Sequence, residues 1–294
     1  MKYALLLTQA CNLACRYCYI IKDKHSISAE NARKAVDFIF SNSQEGEPID
    51  IGFFGGEPLL EFNRLKEITE MIEKHPLFQL REVVLQVITN GTIFSDEIAA
   101  FLIQHNISLG VSCDGIPSVQ DQARIYPDGR PSSSVVEENI RKAIGYFPQI
   151  MVNAVYTPST YCYLPESVEY LYNLGVRKIY INPDFSARWR ADDAVQLQDI
   201  FNTIARKYIH WHETGDPAFV SLINGKLAVI LDGGYKINER CHMGKKEFAI
   251  APNGNIFPCE RLVGDGSLHE HCIGNIHEGV DYRKFCTSRN FEKP

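Results

Sequence analysis

Three cysteines fall within eight residues near the start of the chain: Cys11, Cys15 and Cys18, spaced C-x3-C-x2-C. Thiolates are soft ligands that suit zinc and iron–sulfur clusters. Three on one loop are one short of a closed tetrahedral zinc site, but they can bind three irons of a cubane and leave the fourth open. His25, seven residues on, is the nearby alternative that could close a zinc site. Four more cysteines, Cys241, Cys259, Cys272 and Cys286, gather toward the other end. Four thiolates satisfy either a [4Fe-4S] cluster or a zinc ion, with His242, His269, His271 and His277 as substitute ligands. Glu260 directly follows Cys259. Facing the first group it could act as a base; facing water it would be an ordinary surface acid. Cys113 and Cys162 stand apart and read as interior residues.

These groups need a frame. Strand-like segments rich in Val, Ile, Leu and Phe span Tyr3–Leu7, Ile49–Phe54, Val83–Thr89, Ile107–Ser112, Gln149–Tyr156 and Lys178–Asn182. Helical patterns lie between them, over Leu60–Lys74, after the N-cap Ser95, and over Ser134–Tyr146 and Leu164–Leu174. Repeated strand–helix units predict an α/β fold with a parallel sheet. The pattern leaves a doubly wound sheet and a partial barrel both open; in either, ligands meet the carboxyl ends of the strands. The first cysteine loop follows the first strand. Gly55-Gly56-Glu57-Pro58 follows the second, Thr89-Asn90-Gly91 closes the third, and Ser112-Cys113-Asp114-Gly115 ends the fourth. Residues 192–231 read as helix without strand alternation. From Cys241 onward the chain is rich in Gly, Asn, Pro and His, as in a small module tied together by ligands.

Composition bounds the rest. The chain has 294 residues, 45% of them apolar, and a net charge of −6. That charge gives no general attraction to nucleic acid or anionic lipid. No apolar run reaches the roughly 18 residues of a spanning helix, and Ala4–Leu7 is too short for a signal-peptide core. Nine cysteines in a chain of this length, without an export signal, point to a reducing cytoplasm and not to a disulfide framework.

Taken together, the triplet and Gly55–Pro58 resemble the radical SAM superfamily. The resemblance covers nearly the whole chain. It implies a partial (β/α)6 TIM barrel over residues 1–190, a helical bridge over 191–235, and a loop-rich C-terminal module over 236–294. In that family Cys11, Cys15 and Cys18 would hold a [4Fe-4S] cluster whose open iron is chelated by S-adenosyl-L-methionine (SAM). Tyr17 would pack near the adenine, and Gly55, Gly56, Glu57 and Pro58 would meet the methionine ammonium. Asn90, Ser112 and Asp114 would line the SAM pocket, and Arg124, with Asp121 in a D-x-x-R segment, would clamp the carboxylate. Cys241 with Gly254 and Cys259, and Ile273-Gly274-Asn275-Ile276, resemble a shortened SPASM or Twitch extension. That implies one auxiliary [4Fe-4S] cluster on Cys241, Cys259, Cys272 and Cys286. In the similar anaerobic sulfatase-maturating enzymes the acid at the Glu260 position is the base. The implied activity is reductive cleavage of SAM to a 5′-deoxyadenosyl radical and hydrogen abstraction from a ribosomal peptide, giving a thioether or carbon–carbon cross-link or an oxidation. A flavodoxin or ferredoxin would donate the electron, and a separate leader-recognition protein could present the peptide. The alternatives are a Twitch-type dehydrogenase of a small molecule and a non-catalytic iron–sulfur or zinc protein.

Overall fold

Strands form where the apolar segments place them. A computed structural model describes residues 1–234, 243–267, 270–281 and 283. In it β1 (Lys2–Thr8), β2 (Ile49–Gly55), β3 (Val83–Thr89), β4 (Ile107–Ser112), β5 (Met151–Tyr156) and β6 (Lys178–Pro183) pair parallel in chain order. The crossovers are α1 (Ala29–Asn42), α2 (Phe62–Glu73), α3 (Asp96–Gln104), α4 (Pro117–Ala123) with α5 (Ser133–Tyr146), and α6 (Leu164–Asn173); α7 (Ala191–Glu213) follows β6. Ser28 and Ser95 cap α1 and α3 by accepting hydrogen bonds from Asn31 N and Ile98 N.

Alternate strand positions meet different surroundings, as a period of two requires. Tyr3, Leu5 and Leu7, Ile51 and Phe53, Val87, Leu109, Val152 and Ile179 are fully buried and join helix residues such as Ala35, Ile39, Ile68 and Ile140 in one core. Intervening positions such as Asp50, Gln86, Ser112, Asn153 and Tyr180 are part-buried and face the other way, where Leu6 is buried in a second cluster. Helices α1, α2, α3, α5, α6 and α7 therefore cover one face, and the sheet curls around the other as a partial barrel.

Both ends of the sheet go beyond the expected six strands. A two-residue strand, β7 (Phe219–Val220), pairs parallel with β6 and interrupts the helix expected over 192–231, leading into α8 (Ser221–Leu231). Two residues are too few to leave a pattern. On the opposite edge β8 (Glu247–Ile250) pairs parallel with β1, and β9 (Asn255–Phe257), β10 (Gly274–Asn275) and β11 (Gly279–Val280) continue as an antiparallel meander. The meander thus extends the barrel sheet. No described helix is long and apolar enough to cross a membrane.

Candidate cluster and cosubstrate site

The first cysteine loop is strung between strand ends. Gly56 N donates to the Thr8 carbonyl at 2.8 Å, and Glu57 N to that of Ala10 at 2.9 Å. A Cβ on Gly55 (φ +134°) or Gly56 would run into those same carbonyls. Glycines are needed because two backbones touch there, just before Cys11. On the far side Ala14 N donates to Ile125 O at 2.6 Å and Arg16 N to Ala123 O at 3.0 Å. Asn90, at the end of β3, donates from Nδ2 to Cys11 Sγ at 3.6 Å and to Asn12 Oδ1 at 2.8 Å. Thr92 closes this network, donating to Asn90 Oδ1 at 2.6 Å and accepting from Asn12 Nδ2 at 2.8 Å. Sequence reading missed Asn12 and Thr92, although both adjoin motifs it singled out.

Cys11 and Cys15 are part-buried and Cys18 is exposed. Their sulfurs do not all lie within 4.8 Å of one another, as thiolates sharing one zinc at about 2.3 Å would. Burial pushes the Cys11 and Cys15 thiols above their ordinary value, while Lys22 near Cys11 and Arg124 near Cys15 pull the other way. A bound cation would complete the deprotonation. His25, the zinc alternative, is exposed and holds Asp23 at 2.6 Å through Nδ1.

Glu57 is fully buried and its carboxylate is engaged by protein donors: Leu59 N at 3.0 Å and Thr89 Oγ1 at 2.7 Å on one oxygen, Asn90 N at 2.7 Å on the other. Burial outweighs these bonds and lifts its pKa to about 7. It locks the β2 and β3 ends together behind the loop, and Pro58 beside it is buried at the start of a 3-10 turn. Asp114 does the same at β4. Its Oδ1 accepts from Val155 N at 2.9 Å and lies 3.1 Å from Arg124 Nε, out of hydrogen-bond alignment, and its Oδ2 accepts from the Tyr17 hydroxyl. Burial works against the Arg124 charge, but Asp114, Tyr17 and Cys15 hold the guanidinium protonated. Arg124 also sits 5.3 Å from the Tyr17 ring centroid. Burial, opposed by Arg124 and reinforced by Asp114, keeps the Tyr17 phenol neutral. Ser112 is part-buried at the end of β4. Asp121 caps α5, accepting from Ser132 N and Ser133 N at 3.0 and 2.9 Å.

In the C-terminal group, Cys241 and Cys286, with His242 and His269, lie outside the described residues. The Cys259 thiol lies 3.3 Å from Glu260 Oε2, and both groups lie within 4.8 Å of a Glu247 oxygen. Burial and then Glu260 push the Cys259 thiol up to about 12, so it would need a cation to become a ligand. Cys272 is buried among Leu6, Ala249 and Phe257, its thiol toward Gly274 O at 3.3 Å. Tyr19, next to Cys18, lies within electrostatic reach of Glu260, Arg261 and Cys259, and Ile21 N donates to Gly264 O at 3.0 Å, so the loop after Cys18 lies against the segment that follows Cys259. Of the isolated pair, Cys113 is buried, and burial pushes its thiol to about 12. Cys162 is exposed, against expectation, because its 3-10 turn buries the neighbouring Tyr161 instead.

Residues 5–171 match the model of the radical SAM superfamily. The chain belongs to that superfamily. Members of it bind a [4Fe-4S] cluster and SAM. This radical SAM chain is 24% identical over 310 residues to the cysteine-type anaerobic sulfatase-maturating enzyme of Clostridium perfringens (strain 13 / Type A), covering 97% of this chain and 80% of that protein. It is 24% identical over 286 residues to the radical SAM cyclopropyl synthase TigE of Paramaledivibacter caminithermalis, covering 88% of this chain but 57% of TigE. Among solved structures, native anSMEcpe with bound AdoMet and Cp18Cys peptide shares the fold, with TM-score 0.81 at 20% identity over 99% of this chain and 82% of that one.

Proposed function

We propose that this radical SAM chain is a maturase that abstracts hydrogen from a residue of a ribosomally made peptide or protein. The observation that carries this reading is the convergence of the C-x3-C-x2-C loop with the ends of β2, β3 and β4, each cross-linked to it through hydrogen bonds. In it Cys11, Cys15 and Cys18 are the ligands of a [4Fe-4S] cluster with one open iron. Gly55, Gly56, Pro58, Asn90, Ser112, Asp114, Tyr17 and Arg124 line the SAM pocket, with Glu57 supporting it from behind. Bound there, the cluster and SAM supply an electron and a 5′-deoxyadenosyl radical able to take hydrogen from an unactivated carbon. The chain's own work is positional. The Asn90 amide donates to Cys11, and Arg124, held by Asp114, offers its remaining nitrogens to a carboxylate. Glu260, on the segment that meets the loop after Cys18, is the base that takes a proton from the substrate side. Cys259 and Cys272, with Cys241 and Cys286, are the ligands of one auxiliary [4Fe-4S] cluster.

The likeness to the sulfatase-maturating enzyme over nearly the full chain, and the peptide bound to anSMEcpe, favour a peptide substrate. The test is anaerobic reconstitution, reduction, and assay with SAM and peptides encoded beside the gene. The reading expects 5′-deoxyadenosine together with a mass change on a peptide. Absence of the nucleoside would overturn the enzyme reading. Nucleoside coupled only to a small molecule would replace the peptide.

A further inference from the structure

The inner face of the barrel is not filled in the usual way. In a closed (β/α)8 barrel, layers of bulky branched side chains pack the centre. Here Ala4, Gly52, Gly110 and Ala249 occupy inward positions, with Gln86 packed over Gly52 and Ile88 over Gly110. The hydrogen-bonding groups on this face are unevenly used. At its floor Gln86 donates to Asp50 at 2.9 Å, and Lys2 lies in register between Asp50 and Glu247, 3.8 Å from the latter. On the β4–β6 wall the register aligns Ser112 with Asn153 and Asn153 with Tyr180, with Asn182 opposite Val155 two residues further along. All are part-buried. Among the described residues, neither asparagine carboxamide nor the Tyr180 hydroxyl makes a hydrogen bond to the protein.

We propose that Asn153, Tyr180 and Asn182 form a ledge that binds the main-chain amides of a peptide substrate beside the SAM pocket. This rests on the peptide reading above and deepens it. The row continues from Ser112, so the ledge lies at the depth of the cosubstrate. A peptide entering the barrel loses water from its N–H and C=O groups, and each then needs a partner. A carboxamide offers both two donors and an acceptor, so Asn153 and Asn182 each satisfy a peptide N–H and a peptide C=O. Lys178 lies two residues before Tyr180 on this face, but the three ledge residues themselves are uncharged and so recognise the backbone.

The test uses the reconstituted, SAM-loaded full chain on an array of synthetic dodecapeptides of randomised sequence, with backbone N-methylated copies. The parent chain is expected to retain a subset, and N-methylation within a retained peptide to weaken its Kd about tenfold or more. The double substitution Asn153→Ala with Asn182→Ala should weaken the same peptide about tenfold, and N-methylation should then cost little more, as expected of coupled partners. Tyr180→Phe keeps the packing on Phe219, whose ring lies 5.0 Å away, and should cost about threefold. Because these polar groups hold no protein partner, circular dichroism and the thermal midpoint should match the parent. If the double variant keeps both the parent Kd and its sensitivity to N-methylation, the ledge is refuted while the peptide reading stands. If the parent retains no peptide although SAM is cleaved, both fall.

Discussion

Cys11, Cys15 and Cys18 lie on a loop that Gly55 and Gly56, Asn90 and Asp114 tie to three strand ends. Cys259 and Cys272 lie instead in a short meander on the β1 edge, one thiol against Glu260 and the other among apolar side chains. The contrast is between a site whose geometry is imposed by the barrel and one whose described cysteines are held by their own neighbours. A cosubstrate that must be aligned to a fraction of an ångström needs the first kind. An auxiliary group that carries electrons or ties a module together tolerates the second.

The largest expected difference between the regions is in SAM cleavage. Cys15→Ala should lower 5′-deoxyadenosine formation by about a thousandfold or more, whereas Cys259→Ala should lower it by less than about tenfold, read by chromatography of the reduced, reconstituted proteins. Equal losses would erase the distinction. In stability, Asp114→Ala strands the buried Arg124 charge and should cost about 3–5 kcal/mol in anaerobic urea unfolding. Glu260→Gln, at the looser site, should change it by no more than about 0.5 kcal/mol.

Glu57 sharpens the comparison through pH. Its folded pKa is raised from the ordinary 4.5 to about 7, so between these values the folded state binds more protons than the unfolded chain. Its contribution to stability is present below the ordinary carboxylate range and is lost as pH rises through 7, on the order of 3 kcal/mol in total. The slope of stability against pH over that window should flatten in Glu57→Gln, and an unchanged slope would contradict the assignment. The smallest pair is Asn90→Ala against Asn255→Ala. Asn255 Nδ2 donates to Gly266 O at 2.9 Å in the meander, so each should lose about 1 kcal/mol, but only Asn90→Ala should shift the cluster's electron paramagnetic resonance spectrum.

What could be read in advance followed from pattern and spacing. β2, β3 and β4 are short segments rich in Val, Ile, Leu and Phe closed by glycine-bearing turns, and the cysteine loop sits where a parallel sheet puts its ligands. α1 was implied by the strand–helix alternation but given no bounds, although Ala32, Ala35, Val36 and Ile39 stand at i, i+3, i+4 and i+7. β7 escaped because its pairing comes from β6 and not from its own two residues. The buried carboxylates were legible as motif members, but not as cross-links. That Glu57 reaches Thr89 and Asn90, and Asp114 reaches Val155 and Tyr17, depends on neighbours in the sheet that are distant in sequence. Cys162 was read as an interior residue, but the 3-10 turn buries the neighbouring Tyr161 ring instead.

The most direct test of the central claim, an open-site cluster on the first cysteine loop, is the electron paramagnetic resonance spectrum of reduced, reconstituted Cys259→Ala chain with and without SAM. A shift of the signal on adding SAM, retained in this variant and absent in Cys15→Ala, is the predicted result. A spectrum indifferent to SAM, or a SAM-dependent signal that survives in Cys15→Ala, would contradict it.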